Sequence, residues 1–305
     1  MNCDNLITIP QFSNNCWFNA FLTSAFYSTN IRKYVLKASK NWEKDDEIFK
    51  IFKKILKKNN KINKIFNYYK PEYILMRFFY KYNPKLLTEI IDNQFEDLNY
   101  FGENFLNIIN FYENLGLKCI NFMSFDNKII QSHFYLNHIN NIKSFIPIEN
   151  PDIIIYISIY PEFRHKYHKY LYKYIKLFNK FYYYKKIYNY DDNNDFHKGL
   201  KNFNEQITYN NNNYNLDSCI ITNYNISPNI QQHVIAGIKC NKKKYVYNGW
   251  QQEFNGIYQS CPLMSFDWNL NNDYTLCLNT KKCNLFKSSD ADLCFSFAKG
   301  HRILI

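Results

Sequence analysis

No CxxC pair occurs among the nine cysteines of this 305-residue chain, no apolar run is long enough to cross a bilayer, and glycine is held to 7 positions. Each shortage closes something off. A structural zinc site ordinarily shows two close ligand pairs. Without them the cysteines, odd in number, are expected to be small buried hydrophobes in a reducing compartment. The longest apolar run, IIIYISIY at 153–160, falls well short of the roughly 20 residues that a spanning helix needs. The N-terminus MNCDNLITIP lacks the charged start and apolar core of a secretory signal. No internal repeat is found. The expectation is a soluble, cytoplasmic protein with neither metal nor cofactor and no membrane partner.

The shortage of glycine goes with an excess of Asn, Lys, Ile, Tyr and Phe, as an AT-biased genome would produce. What is present still speaks for a folded chain. Hydrophobic residues make up 46% and aromatic residues 19%, too much apolar surface for a disordered protein. The length suits one large domain or two modest ones, with ample core. The net charge of +12 raises nucleic acid as a partner. The lysines, however, scatter over the first 200 residues, which favours a solvated surface. The basic aromatic segment at 163–186 reads equally well as a surface that stacks and neutralises nucleic acid and as an aromatic core face with lysines outside. His165 and His168 form an H-x-x-H with no third ligand nearby, again a solvated face rather than a metal site.

Residues 14–39 read as one helix, with Trp17, Phe18, Phe21, Leu22, Ala25 and Phe26 on an apolar face and Ser13 or Asn14 as its cap. DEIFKIFKKILKK at 46–58 is amphipathic, with lysines opposite Ile48, Phe49, Ile51, Phe52, Ile55 and Leu56. A third helix is expected over 99–117, ending at Gly116. From 118 the texture becomes strand-like: KCINFMSF, PDIIIYISIY, LDSCIITNYNI, HVIAGIKC, KYVYNGW, YTLCLN and CFSFAKGHRILI. The segment 161–213 reads as an insertion, its YDDNNDF and YNNNNY runs as exposed loops. Helices first and a mostly antiparallel sheet afterwards make α+β, one domain over 1–305, with a helical lobe to about 117 and a sheet-rich part from 118.

Two stretches carry chemistry. SNNCWFNAFLTSAF at 13–26 puts Cys16 at the front edge of an apolar helix, where the helix end favours a thiolate. HVIAGIKCNKKKYVYNGW at 233–250 is a hairpin candidate, with His233 opening its first strand and Asn248 near the end of its second. A loop with an even number of residues puts both side chains on one face. Cys, His and Asn are then a nucleophile, a base and an orienter, with Asn248 Oδ1 accepting the Nδ1–H of His233. The imidazolium adds to the helix end in favouring the thiolate. Gln11, five residues before Cys16, is the best-placed oxyanion donor; Asn14, Asn15 and the Cys16 N–H are further candidates.

The order Cys, His, Asn resembles that of the papain-like cysteine peptidases. NNCWFNA resembles the Cys box of the ubiquitin-specific proteases, and YNLDSCIITN with HVIAGIKCNKKKYVYNGW is similar to their His box. SNNC stands where the Cys box has GNTC, and Val234 where the His box has an aromatic. The resemblance covers about the first 30 and last 90 residues and implies a papain-like fold of a divergent kind such as large DNA viruses encode. It implies a thiol hydrolase that removes ubiquitin or a ubiquitin-like modifier, with Cys16, His233, Asn248 and Gln11 catalytic. Asn15, Trp17 and Glu103, the last at the E-x-F-L of GENFLNIINFYENL, are implied substrate contacts. Two other readings stand beside it: a peptidase for viral or other protein substrates, and a catalytically idle fold used for binding.

Overall fold

A computed structural model describes residues 3, 6, 8, 9, 11, 15–57, 73, 74, 77, 78, 81, 111–125, 128–132, 150–158, 205–222, 233–254, 257–272, 275–279, 284–286, 294–298 and 302–305. The expected insertion core at 163–186, the start of the third helix, His165, His168 and Glu103 lie outside them.

Three helices come first: α1 (Cys16–Tyr27), α2 (Thr29–Ala38) and α3 (Glu47–Lys57). All twelve residues of α1 are buried, so the apolar face read from the sequence is in fact a helix enclosed all round. The single helix expected over 14–39 is broken at Ser28, whose backbone is extended at φ −71°, ψ 150°. A carboxylate from far along the chain makes the break: Asp217 Oδ2 accepts the N–H groups of Asn30 and Ile31 at 2.7 and 2.9 Å. It satisfies the first free donors of α2 as a local cap would. The 46–58 expectation is met by α3, whose six apolar residues are all buried. Each contributes at most about 1.5–3 kcal/mol. Residues 111–114 are helical, and Gly116 follows at φ +88°, where a side chain would be strained.

The strands are β1 (Cys119–Phe125), β2 (Lys128–Ser132), β3 (Ile153–Ser158), β4 (Gln206–Tyr209), β5 (Asn212–Asn215), β6 (Ser218–Thr222), β7 (Val234–Cys240), β8 (Lys243–Tyr247), β9 (Gln251–Phe254), β10 (Ile257–Ser260), β11 (Met264–Ser265), β12 (Leu276–Asn279), β13 (Asn284–Phe286), β14 (Cys294–Phe295) and β15 (Arg302–Leu304). Eight form one sheet in the order β11-β8-β7-β6-β15-β3-β1-β2. Only β1 and β3 run parallel there; the other pairs are antiparallel. The class is α+β. The YNNNNY run is not a loop but the β4–β5 hairpin, turned by Asn210 and Asn211 at φ 45° and 64°, values that Asn tolerates.

The sheet divides two cores. On β7, Val234, Ala236, Ile238 and Cys240 join the helices and Tyr245 and Tyr247 of β8. Ile235 joins Val246, Met264, Trp268, Phe295 and Phe297 on the other face. Gly237 is required there, since a β-carbon would lie 2.6 Å from Phe297 Cε1 and 2.8 Å from Trp268 Cε2. The cysteines depart from expectation. Cys3 pairs with Cys240 and Cys277 with Cys294, and Cys261 is also disulfide-bonded. Cys16, Cys119 and Cys219 are free and buried.

Candidate functional site

Cys16 opens α1, so its own N–H and that of Trp17 have no partner one turn back. Both reach its sulfur, as does the backbone N–H of Val234 from β7. These donors favour a thiolate. Burial, with 3% of the residue exposed, outweighs them and pushes the thiol up to about 11. Asn15 precedes it without a side-chain cap bond. Its Oδ1 accepts from Asn19 Nδ2 at 3.4 Å, while its Nδ2 is buried with no hydrogen-bond partner among the described residues. Ser13 and Asn14, the expected caps, lie outside the described residues. Trp17 packs edge-on against Phe18 inside the helical core.

His233 sits one residue before β7. The β7–β8 loop is Asn241–Lys242, at φ 49° and 67°. Its even length brings His233 and Asn248 to one face, as expected. They meet differently from the expectation, however. His233 Nε2 lies 2.6 Å from the backbone carbonyl oxygen of Asn248. A carbonyl only accepts, so Nε2 carries the hydrogen, and Nδ1 is the basic nitrogen of the neutral ring. The Asn248 side chain is occupied elsewhere: Oδ1 accepts the Trp250 N–H at 2.9 Å, and Nδ2 lies 4.0 Å from Met264 Sδ. A main-chain oxygen, not an amide, orients the ring.

Parity has a second consequence. His233 continues the odd-numbered series of β7, away from α1, and its ring meets Trp250 at 5.2 Å and Phe295 at 6.1 Å between centroids. The Cys16 sulfur is held by Val234, on the even series. The backbone therefore brings Cys16 and His233 within one residue of each other, while the ring faces Asn248, Trp250 and Phe295. Burial lowers the His233 pKa to about 4, with the Asn248 carbonyl acting against it. At neutral pH the resting pair is a thiol and a neutral imidazole. The thiolate–imidazolium pair expected from sequence gives way to desolvation.

Gln11 is brought to the same place. Its N–H donates to the Gly249 carbonyl at 3.0 Å, and its Oε1 lies 3.1 Å from where a β-carbon on Gly249 would stand. Gly249, at φ +75°, leaves room for it. The Tyr247 hydroxyl donates to the Ile9 carbonyl at 2.8 Å. Its ionisation is opposed by burial first and by the neighbouring Cys16 next, while an Asn19 hydrogen bond favours it. Sequence reasoning missed Tyr247, Asn19 and Trp250. The period-2 alternation of KYVYNGW marked two of them, since Tyr247 lies on the helix side and Trp250 on the His233 side; Asn19 stood in NNCWFNA. Among the described residues no group of three or more His, Cys, Asp or Glu forms a metal site, and no helix is long and apolar enough to cross a membrane. No protein-family model, no curated protein and no solved structure matches the chain.

Proposed function

We propose that the chain is a cysteine-type hydrolase, an isopeptidase of papain-like fold that removes ubiquitin or a ubiquitin-like modifier. The observation that carries the reading is the meeting of the Cys16 sulfur with the Val234 N–H, next to His233, at the start of a buried helix. In the reacting state the imidazole pivots on its Nε2–H bond to the Asn248 carbonyl until Nδ1 reaches the sulfur, and Nδ1 takes the thiol proton as sulfur attacks the glycine carbonyl. Gln11 or Asn15 donates to the oxyanion. Collapse of the intermediate expels the amine, which receives the proton from His233, and water then frees Cys16. This reading places the chain in the cytoplasm, with ubiquitin conjugates as partners.

Two observations favour the other readings. The disulfides Cys3–Cys240 and Cys277–Cys294 suit an oxidising compartment and a peptidase for other protein substrates. The engagement of His233 with Asn248, and the neutral state of both groups, suit an idle fold used for binding. Ubiquitin carrying a thiol-reactive electrophile at its C-terminus tests all three. The expected result is one adduct, on Cys16. A protein left unmodified, whose Cys16 still reacts with small alkylating agents, would mean another substrate; Cys16 inert to both would mean an idle fold.

A further inference from the structure

Cys3, Leu6, Thr8, Ile9 and Gln11, ahead of α1, mark an arm bound to the β7–β8 hairpin and to the segment 261–263. At one end Cys3 is bonded to Cys240, the last residue of β7. At the other end Gln11 N–H donates to Gly249 beyond β8. Between them Leu6 O accepts the Leu263 N–H at 3.2 Å, Thr8 Oγ1 donates to the Cys261 carbonyl, and Ile9 O accepts the Tyr247 hydroxyl. Eight residue steps separate Cys3 from Gln11, at most about 28 Å extended, enough to reach along the six steps of β7, which rise about 20 Å. Cys240 ends the strand that begins next to His233, so one covalent bond ties the Gln11 arm to the ribbon that bears the candidate base.

We propose that Cys3–Cys240 is a redox latch on the candidate site. The inference rests on the hydrolase reading for its effect on activity. Oxidation by a small-molecule disulfide of the glutathione class closes the latch. One cysteine thiolate attacks the disulfide and releases one glutathione thiol; the second cysteine then displaces the other. Two electrons pass to the oxidant, and the two thiol protons end on the two glutathione thiols. Reduction reverses both exchanges. With the bond open, the described residues of the arm are held by non-covalent contacts, among them their hydrogen bonds and the burial of Leu6, Thr8 and Ile9. It then opens locally, and Gln11 leaves Gly249.

The test uses the full chain in a graded series of reduced and oxidised glutathione. Peptide-mass mapping follows the Cys3–Cys240 linkage and the state of Cys16, amide exchange follows residues 6–11, and hydrolysis of a ubiquitin C-terminal amide follows activity. Opening the bond is expected to raise exchange over 6–11 by about tenfold or more and to lower kcat by a similar factor. Cys3→Ser is expected to show both effects and to respond no further to reductant, which separates this bond from the other disulfides. Exchange over 6–11 that is equal in both states overturns the latch, whatever hydrolysis does, and so does a Cys3→Ser protein whose arm still responds to reductant. Exchange that responds while no substrate is cleaved in any state overturns the hydrolase reading and leaves the latch standing.

Discussion

His233 and Asn248 are joined through the main chain: Nε2 of the ring donates to the Asn248 carbonyl oxygen at 2.6 Å. That bond survives any substitution which keeps the backbone in place. Asn248→Ala removes the Oδ1 bond to the Trp250 N–H and the weak Nδ2 contact with Met264 Sδ, at about 1 kcal/mol of stability. Its kcat is expected to fall less than about tenfold, against the roughly 10⁴-fold loss when a side-chain orienter of a catalytic histidine is removed. Steady-state kinetics and a thermal melt decide it. A loss of the larger size would mean that the amide replaces the carbonyl in the reacting state.

In the proposed hydrolase, Gln11 and Asn15 are the two candidate donors to the oxyanion. Gln11→Ala is expected to lower kcat by about 10²–10³-fold with little change in KM, the usual cost of one oxyanion donor. Alkylation of Cys16 by a small reagent should be unchanged, because the donors on its sulfur are backbone groups of Cys16, Trp17 and Val234. If Asn15→Ala shows this kinetic pattern and Gln11→Ala does not, the unpartnered Asn15 Nδ2 is the donor.

Burial holds the folded-state pKa of His233 down, at about 4. The unfolded chain, with an ordinary value near 6.5, binds the proton more readily, so stability rises with pH between these values. The contribution is fully present above about pH 6.5 and is lost as pH falls toward 4, by at most about 3 kcal/mol. Urea denaturation across this range, compared with His233→Gln, measures it. A variant with the same pH slope as the parent would remove His233 as its source.

Gly237 is predicted to be the least tolerant glycine of the sheet. A methyl group there overlaps Phe297 and Trp268, whose rings stack at 5.2 Å with a 20° interplanar angle. Neither ring can withdraw without opening the second core, so Gly237→Ala is expected to cost about 1–3 kcal/mol. Chemical denaturation checks it, and a neutral result would mean that the stacked pair moves as a unit.

The sequence by itself determined what depends on local periodicity. The 3.6-residue spacing of Ile48, Phe49, Ile51, Phe52, Ile55 and Leu56 defined α3, because one face must be buried wherever the helix sits. The alternation in HVIAGIKC and KYVYNGW marked the hairpin, and the two-residue loop Asn241–Lys242 then put His233 and Asn248 on one side. Cys16 was legible at the front edge of a helix. Tertiary structure decided what depends on distant partners. Asp217, almost two hundred residues away, splits 14–39 into two helices by taking the donors at the start of α2. The Cys3–Cys240 pairing required residues 237 apart in sequence to meet. The protonation state of the site was decided there too. Helix polarity and sequence order favour a thiolate, but the depth of Cys16 and His233 is set by the whole core packed around them, and desolvation there exceeds what three backbone donors return.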